Sequence, residues 1–222
     1  MDYTRYLTKI AKTKKPSFYE GERLRSLNSI LYDADKHEAM ATSGALLLLV
    51  KDDSITETHS VDAKDSVVST DKDMPEFPNY QRIVDSLMPQ VKTIGRPITT
   101  KFAKTALAGI KTYKRELKAY NAENGSNMPF TLSVHNNNGV SEILPDYPAV
   151  SSQPVLFTIE TGNTSDDTFY DGDKLIMTLE YIADLQRDKS IDKILWTHEN
   201  PLSPTIVSTE IATFIVTPMR RM

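Results

Sequence analysis

Apolar residues recur with a helical period at three places in the chain and in short strand-like runs between them. At 100° per residue from Arg5, Lys9 and Lys12 fall within about 40° of it, while Tyr3, Tyr6, Leu7 and Ile10 occupy the arc from about 100° to 200°. That predicts an amphipathic helix ended at Lys15-Pro16, because the residue before a proline avoids the helical region. Counted from Lys101, the residues Phe102, Ala106, Ile110, Tyr113 and Leu117 fill about 100° to 180°. Lys104, Lys111, Lys114, Arg115 and Lys118 share the opposite arc, with Leu107 at its edge. Thr99 or Thr100 is the N-cap. A third helix runs from Lys174 to about Arg187, capped by Asp171 or Asp173, with Leu175, Leu179, Ile182 and Leu185 on one face.

Between these helices the pattern is that of strands. Leu27–Tyr32, a polar break at Asp33–Glu38, then Ala39–Thr42 and the apolar run to Val50 predict a hairpin turning near Asp33–Lys36. Residues 51–76 are acidic and rich in Ser and Thr, which predicts loop and short edge strands, Val67-Val68 being the best of them. Glu76–Gln90 and the Gly95-Arg96-Pro97 step form a boundary between two halves. Phe130–His135 and Val140–Leu144 make a hairpin around Asn136-Asn137-Asn138-Gly139. Pro145–Pro154 is a linker, Val155–Glu160 a strand, and Lys193–Thr197 and Ile206–Val216 two closing strands. The order suggests two related units, the second more complete.

Composition narrows what such a chain does. Its 222 residues are 39% hydrophobic and 25% charged, which suits a soluble folded protein. The longest apolar run, Ala45–Val50, is far short of a membrane span. Charges interleave with apolar residues in MDYTRYLTKIAK, unlike a signal peptide. There is no cysteine, which removes disulfides, thiol catalysis and Cys-ligated metals and points to a cytoplasmic protein.

Charge changes the picture further. The net charge is −4, but residues 1–25 carry seven basic groups against three acidic ones and residues 96–118 carry seven against Glu116 alone. These segments stand at +4 and +6, leaving −14 for the other 174 residues. Positive charge concentrated on two helices of an acidic protein points to nucleic acid.

Thr213-Phe214-Ile215-Val216-Thr217-Pro218-Met219-Arg220 resembles the close of the bacterial β sliding clamp, the DNA polymerase III processivity factor. Three further stretches agree in order. Phe77-Pro78-Asn79-Tyr80-Gln81-Arg82-Ile83 is similar to that family's Phe-Pro-Asp-Tyr segment. Leu27-Asn28-Ser29-Ile30-Leu31 resembles its Leu-Asn-Gly-aliphatic strand, and Ala41-Thr42-Ser43-Gly44-Ala45-Leu46-Leu47 its Ala-Thr-Asp-Gly-His-Arg-Leu. The resemblance implies an α+β DNA-clamp fold: two tandem units of helices packed on antiparallel sheets. On that resemblance residues 1–95 would be an abbreviated middle domain and 96–222 a complete last domain, and the family's N-terminal domain would be absent.

A clamp encircles DNA without reading its sequence, so it needs diffuse Lys and Arg contacts to phosphates from rigid helices. Arg5, Lys9, Lys12, Lys101, Lys104, Lys111, Lys114, Arg115 and Lys118 are the candidate contacts to double-stranded DNA. Lysines on one exposed helix face are also ordinary solvated surface; two such faces in an acidic chain are less ordinary. The resemblance further implies an inter-domain groove for peptides of polymerases and other partners. By motif it is lined by Leu27, Thr42, Gly44, Leu47, Pro78, Arg82, Ile83, Ile215, Val216, Pro218, Met219 and Arg220. Where the family has His-Arg the chain has Ala45-Leu46, and Thr217 replaces a Met, so partner preference differs. For Leu27, Leu47, Ile83 and Val216, plain core packing is the competing reading.

Nothing supports catalysis. His37, His59, His135 and His198 lack ligand spacing, and no phosphate loop or nucleophile elbow is present. Asp52-Asp53, Asp71/Asp73 and Asp166-Asp167 read as turn and cap residues, and Trp196 as core. The expectation is a non-enzymatic processivity factor without cofactor or metal, active as a homo-oligomer or together with a partner chain. The alternative is a clamp-fold adaptor or decoy that does not encircle DNA.

Overall fold

The computed structural model describes residues 3–13, 20–137, 139–160, 168–185, 194–197 and 203–219. In chain order the first elements are α1 (Thr4–Ala11), α2 (Gly21–Leu27), β1 (Ser29–Asp33), β2 (Glu38–Thr42), β3 (Leu46–Lys51), β4 (His59–Asp62) and β5 (Val68–Ser69). They are followed by α3 (Tyr80–Ile94), β6 (Arg96–Ile98), α4 (Thr100–Asn124), β7 (Thr131–Asn137), β8 (Val140–Pro145) and β9 (Phe157–Glu160). The chain closes with β10 (Thr168–Asp171), α5 (Gly172–Leu185), β11 (Ile194–Thr197), β12 (Thr205–Ser208) and β13 (Ala212–Val216). It divides into two compact units: Met1–Pro89 with Ser208–Ile215, and Gln90–Val207 with Val216–Met222.

In the first unit the sheet runs β5-β4-β1-β2-β3-β13, with every pair among β1 to β5 antiparallel. Every residue of β2 is buried, as are the first five of β3. A strand with no exposed alternate position is covered on both faces, which is why Leu46–Val50 reads as a continuous apolar run. One cover is α1, which buries Tyr6, Leu7, Ile10 and Ala11 and packs on β1, β2 and β3. The β1–β2 hairpin turns at residues 34–37, as the polar break predicts, with His37 at φ 51°.

The other cover, α3, lies where the sequence pattern suggested only a boundary. Among its described residues Tyr80 and Val84 are buried in the first unit and Val91 in the second, and Pro89 lies inside it. So sparse an apolar stripe, interrupted by a residue that breaks most helices, hides the element from a periodicity count. A start signal was present: Asn79 Oδ1 accepts the Arg82 N–H at 3.1 Å, an N-cap contact. Leu27 likewise ends α2 instead of opening the strand, which starts at Ser29.

The second unit holds a four-stranded antiparallel sheet, β10-β7-β8-β9, and the strands β12-β11-β6. The β7–β8 hairpin closes at Asn137 opposite Val140, with Gly139 at φ 82°. β6 and β10 were not foreseen. Pro97 in β6 discourages a strand reading, but β6 is an edge, where proline is tolerated. Residues 209–211 divide the predicted Ile206–Val216 strand into β12 and β13.

Between the alternative caps, Thr99 serves α4, accepting from Phe102 N–H at 3.1 Å, and Gly125 ends that helix at φ 60°. For α5 the cap is Asp171, whose Oδ1 accepts from Asp173 N–H at 2.9 Å and Lys174 N–H at 3.3 Å. Both helices bury most of the faces the pattern assigned: Ala106, Ile110, Tyr113 and Leu117 on α4, where Phe102 is only half-buried, and Leu175, Leu179, Ile182 and Leu185 on α5. Trp196 is buried on β11.

Candidate functional site: an apolar groove and two basic helix faces

Strand pairing places Glu38, Met40 and Thr42 of β2 beside Lys51, Leu49 and Leu47 of β3, on one face of the first sheet. The N-terminal half of α3 crosses this face. Near Thr42 and Leu47, a cavity of about 530 Å³ opens between the sheet, α2 and the start of α3. Leu27, Thr42, Gly44, Leu47, Pro78 and Ile83, all drawn from the groove predicted by sequence, line it together. Phe77 and Tyr80 extend its apolar wall, and Glu22, Arg23 and Glu76 bring charge to it. The described lining residues all belong to the first unit.

Local chemistry sets the rim. Thr42 Oγ1 donates to the Leu46 carbonyl at 3.1 Å and accepts the Gly44 N–H at 3.1 Å. Gly44 sits at φ 87°, a conformation that disfavours any side chain, so the β2–β3 turn is tight here. Leu27 and Leu47 are almost wholly buried, whereas Ile83 is 44% exposed. An exposed isoleucine beside an apolar cavity is what a docking anchor meets; the two leucines also serve the core.

The remaining predicted groove residues behave differently. Arg82 is exposed on α3 and is not part of the cavity wall. Ile215 is buried in β13 at 6% exposure. Val216, Pro218 and Met219 belong to the second unit, where the Met219 N–H donates to the Phe169 carbonyl at 2.7 Å and its side chain is 40% exposed. Arg220 lies outside the described residues. Three contributors went unnoticed in the sequence: Phe77, Tyr80 and the charged face of α2. The first two stand inside the Phe-Pro-Asn-Tyr motif itself.

Of the basic residues, Arg5 and Lys12 are exposed on or next to α1 and Lys9 is half-buried. The Arg5 guanidinium stands 5.1 Å from the Tyr6 ring centroid and the Lys9 ammonium 5.5 Å, so the aromatic ring holds both cations. On α4, Lys101, Lys104, Lys111, Lys114, Arg115 and Lys118 are all exposed. Two of these are engaged by α5: Lys111 Nζ pairs with Glu180 Oε1 at 2.7 Å, and Lys114 pairs with Asp173. Part of the predicted positive face is therefore internally compensated. Glu116, the lone acid of this segment, is tied down by Ser152. Hydrogen bonds from the Ser152 side chain and its N–H, the latter at 3.1 Å, hold its carboxyl below the usual carboxylate value.

Of the acidic pairs, Asp52 has side-chain partners. Asp52 Oδ1 accepts from Ser54 N–H at 2.9 Å, and its other oxygen accepts from the Tyr3 hydroxyl. Asp71 and Asp73 form an exposed single turn. Asp166, Asp167 and His198 lie outside the described residues. His37 Nδ1 is 3.1 Å from the Ile55 carbonyl, and His59 stacks on Tyr32 at 4.7 Å. Among the described residues, no group of three or more His, Asp or Glu gathers as metal ligands. Nor is any described helix long and apolar enough to cross a membrane.

No protein-family model matches the sequence, and no curated protein matches it. Solved structures do. A DNA polymerase III β-subunit sliding clamp from Bartonella birtlesii, bound to griselimycin, aligns with TM-score 0.58 at 12% identity over 98% of this chain and 64% of the clamp. The Helicobacter pylori β clamp bound to a DNA ligase peptide aligns with TM-score 0.56 at 10% identity, over 97% and 62%. The β subunit from Borrelia burgdorferi, in complex with a natural product, aligns with TM-score 0.55 at 13% identity, over 100% and 62%. The chain has the DNA-clamp fold, mixed helices and antiparallel sheets as the resemblance implied. It spans less than two thirds of the length of the clamps it matches.

Proposed function

We propose that the protein is a sliding-clamp-like DNA polymerase processivity factor without catalytic activity. The exposed basic residues of α1 and α4 touch DNA phosphates, and the cavity at α2, β2, β3 and α3 holds a short partner peptide. Enclosing a duplex takes more than the two units described, so the working form is a cytoplasmic ring, either a homo-oligomer or one completed by a partner chain. The observation that carries the reading is the convergence of Leu27, Thr42, Gly44, Leu47, Pro78 and Ile83 on one apolar cavity in a chain of clamp fold. Apolar walls accept aliphatic or aromatic anchors, while the few polar groups at the rim set direction.

The test is binding of a fluorescent polymerase-tail peptide carrying the clamp-binding motif. The wild type should bind it, and Ile83→Ala should weaken binding by about tenfold, the loss of one anchor contact. Unchanged affinity in Ile83→Ala would remove the groove from the account.

A second reading is a clamp-fold adaptor or decoy that binds partner peptides and does not encircle DNA. The pairing of Lys111 with Glu180 and of Lys114 with Asp173 favours it, because these carboxylates compete with phosphates for the same cations. Peptide binding in a monomer with salt-insensitive, weak DNA association would select this reading.

A further inference from the structure

The helix that walls the peptide groove also walls a second cavity, at the opposite end of the β2–β3 pair. This cavity has a volume of about 210 Å³ and shares no lining residue with the first. Leu49, Val84 and Met88 form its apolar part; Glu38, Asp85 and Glu210 outnumber Lys51 in its charge. It is thus a net acidic pocket inside a folded unit, with the 208–213 segment as its third wall.

Two acceptors in its wall have no donor. Glu38 is only 9% exposed, and its Oε2 is shut off from solvent with no hydrogen-bonding partner among the described residues. The same is true of Gln81 Oε1, although the other end of that amide is placed, Nε2 donating to Asp85 Oδ1 at 2.8 Å. Unpaired buried acceptors cost free energy and are rare in folded proteins. Two of them in the wall of one acidic cavity form a site lacking its donor. Of the cations that bear on Glu38, Lys36 is engaged by Asp33 and Tyr80, while Lys51 stands opposite Glu38 in the strand register, is exposed and leaves Glu38 Oε2 unbonded. A compact ammonium is strongly hydrated and prefers water. A guanidinium is planar, more weakly hydrated, and carries five donors that can serve a carboxylate and an amide oxygen together.

We propose that this cavity receives a guanidinium group, toward which the Glu38 and Gln81 side chains turn to serve as acceptors, with Asp85 and Glu210 supplying the surrounding negative potential. The chemistry suits a partner's arginine side chain or a small guanidinium compound. It does not depend on the peptide groove, whose lining is separate.

The probes are N-acetyl-arginine amide, its neutral citrulline analogue, and a five-residue peptide with one central arginine, followed through backbone-amide NMR shifts. The arginine probe should shift Gln81 and residues 209–212, and the citrulline analogue should bind at least about tenfold more weakly. Tighter binding of the pentapeptide than of the capped residue would mark a partner's arginine as the source; equal binding would mark a small molecule. Glu38→Gln should lose about tenfold in affinity. Should that variant fail to fold, Asp85→Asn, at an exposed position, should still lose several-fold. Lys51→Met should bind the probe more tightly by removing a competing cation. Equal binding of arginine and citrulline, shifts confined to other residues, or an intact Glu38→Gln with wild-type affinity would overturn the proposal.

Discussion

The Tyr80 hydroxyl donates to Asp33 Oδ2 at 3.3 Å, tying the first residue of α3 to the β1–β2 turn. Lys36 completes the arrangement: its ammonium donates to the Tyr80 oxygen at 3.2 Å, pairs with Asp33 Oδ2 at 3.0 Å and lies 4.9 Å from the Tyr80 ring centroid. The start of α3 carries Tyr80 and Ile83 into the wall of the cavity proposed to hold a partner peptide, so this contact bears on the width of that cavity. Tyr80→Phe should cost about 1 kcal/mol, the net worth of such a hydrogen bond. Combined with Lys36→Met it should cost less than the sum of the two, since the residues share one network. Strict additivity in denaturant melts would show that the contact does not hold the helix.

The same trio makes the first unit sensitive to pH at both extremes. Burial works against the Asp33 carboxylate, but its hydrogen bonds with Lys36 and Tyr80 outweigh that and hold its pKa below the ordinary 3.8. A lowered folded-state value means stability that is present above 3.8 and lost as pH falls through the folded value. Lys36 is the mirror case. Burial opposes its charge, yet Asp33 and Tyr80 raise it above 10.5, so its contribution is complete below 10.5 and lost as pH rises through the folded value. Replacing Asp33 by Asn should flatten the acid limb of a stability–pH curve. An acid limb unchanged by Asp33→Asn would contradict the assignment.

DNA association should depend on which lysines of α4 are compensated. Lys101/Lys118→Gln should weaken binding and reduce the salt dependence by about two counterions, near 0.9 each on a logarithmic plot. Asp173→Asn with Glu180→Gln should act the opposite way. It releases Lys111 and Lys114 from their carboxylates and should tighten DNA binding with a steeper salt slope. The exposed pairs contribute at most about 1 kcal/mol to folding, so the double variant should remain folded. No gain in DNA affinity would place these two lysines away from the phosphates.

Gly172 opens α5 against the ring of Phe130, and a Cβ there would collide with three atoms of that ring. The ring is itself held in place, 5.7 Å from Tyr113 and beneath the Lys114 ammonium. Gly172→Ala should therefore cost about 1–3 kcal/mol, the usual penalty of overpacking. Phe130→Leu in the same chain should recover part of the loss. A wild-type melting temperature in Gly172→Ala would mean that the ring moves aside freely.

Periodicity alone placed α1, α4, α5 and the hairpins, because each carries a dense apolar stripe and a polar or glycine-bearing turn that acts locally. It also singled out the basic arcs, since helical spacing converts sequence directly into faces. The resemblance to the sliding-clamp family, not spacing alone, nominated twelve groove residues, of which Leu27, Thr42, Gly44, Leu47, Pro78 and Ile83 share one cavity. What the chain did not disclose by itself depends on long-range contact. The helix α3 has few buried positions among its described residues and an internal proline, and it depends on packing more than on its own propensity. The neutralisation of Lys111 and Lys114 joins residues 69 and 59 positions apart, which no local count anticipates. The unpaired oxygens of Glu38 and Gln81 arise only when β2 and α3 close over them. Local pattern determined which residues form faces; only tertiary packing decided which of those faces meet, and which polar groups were left without a partner.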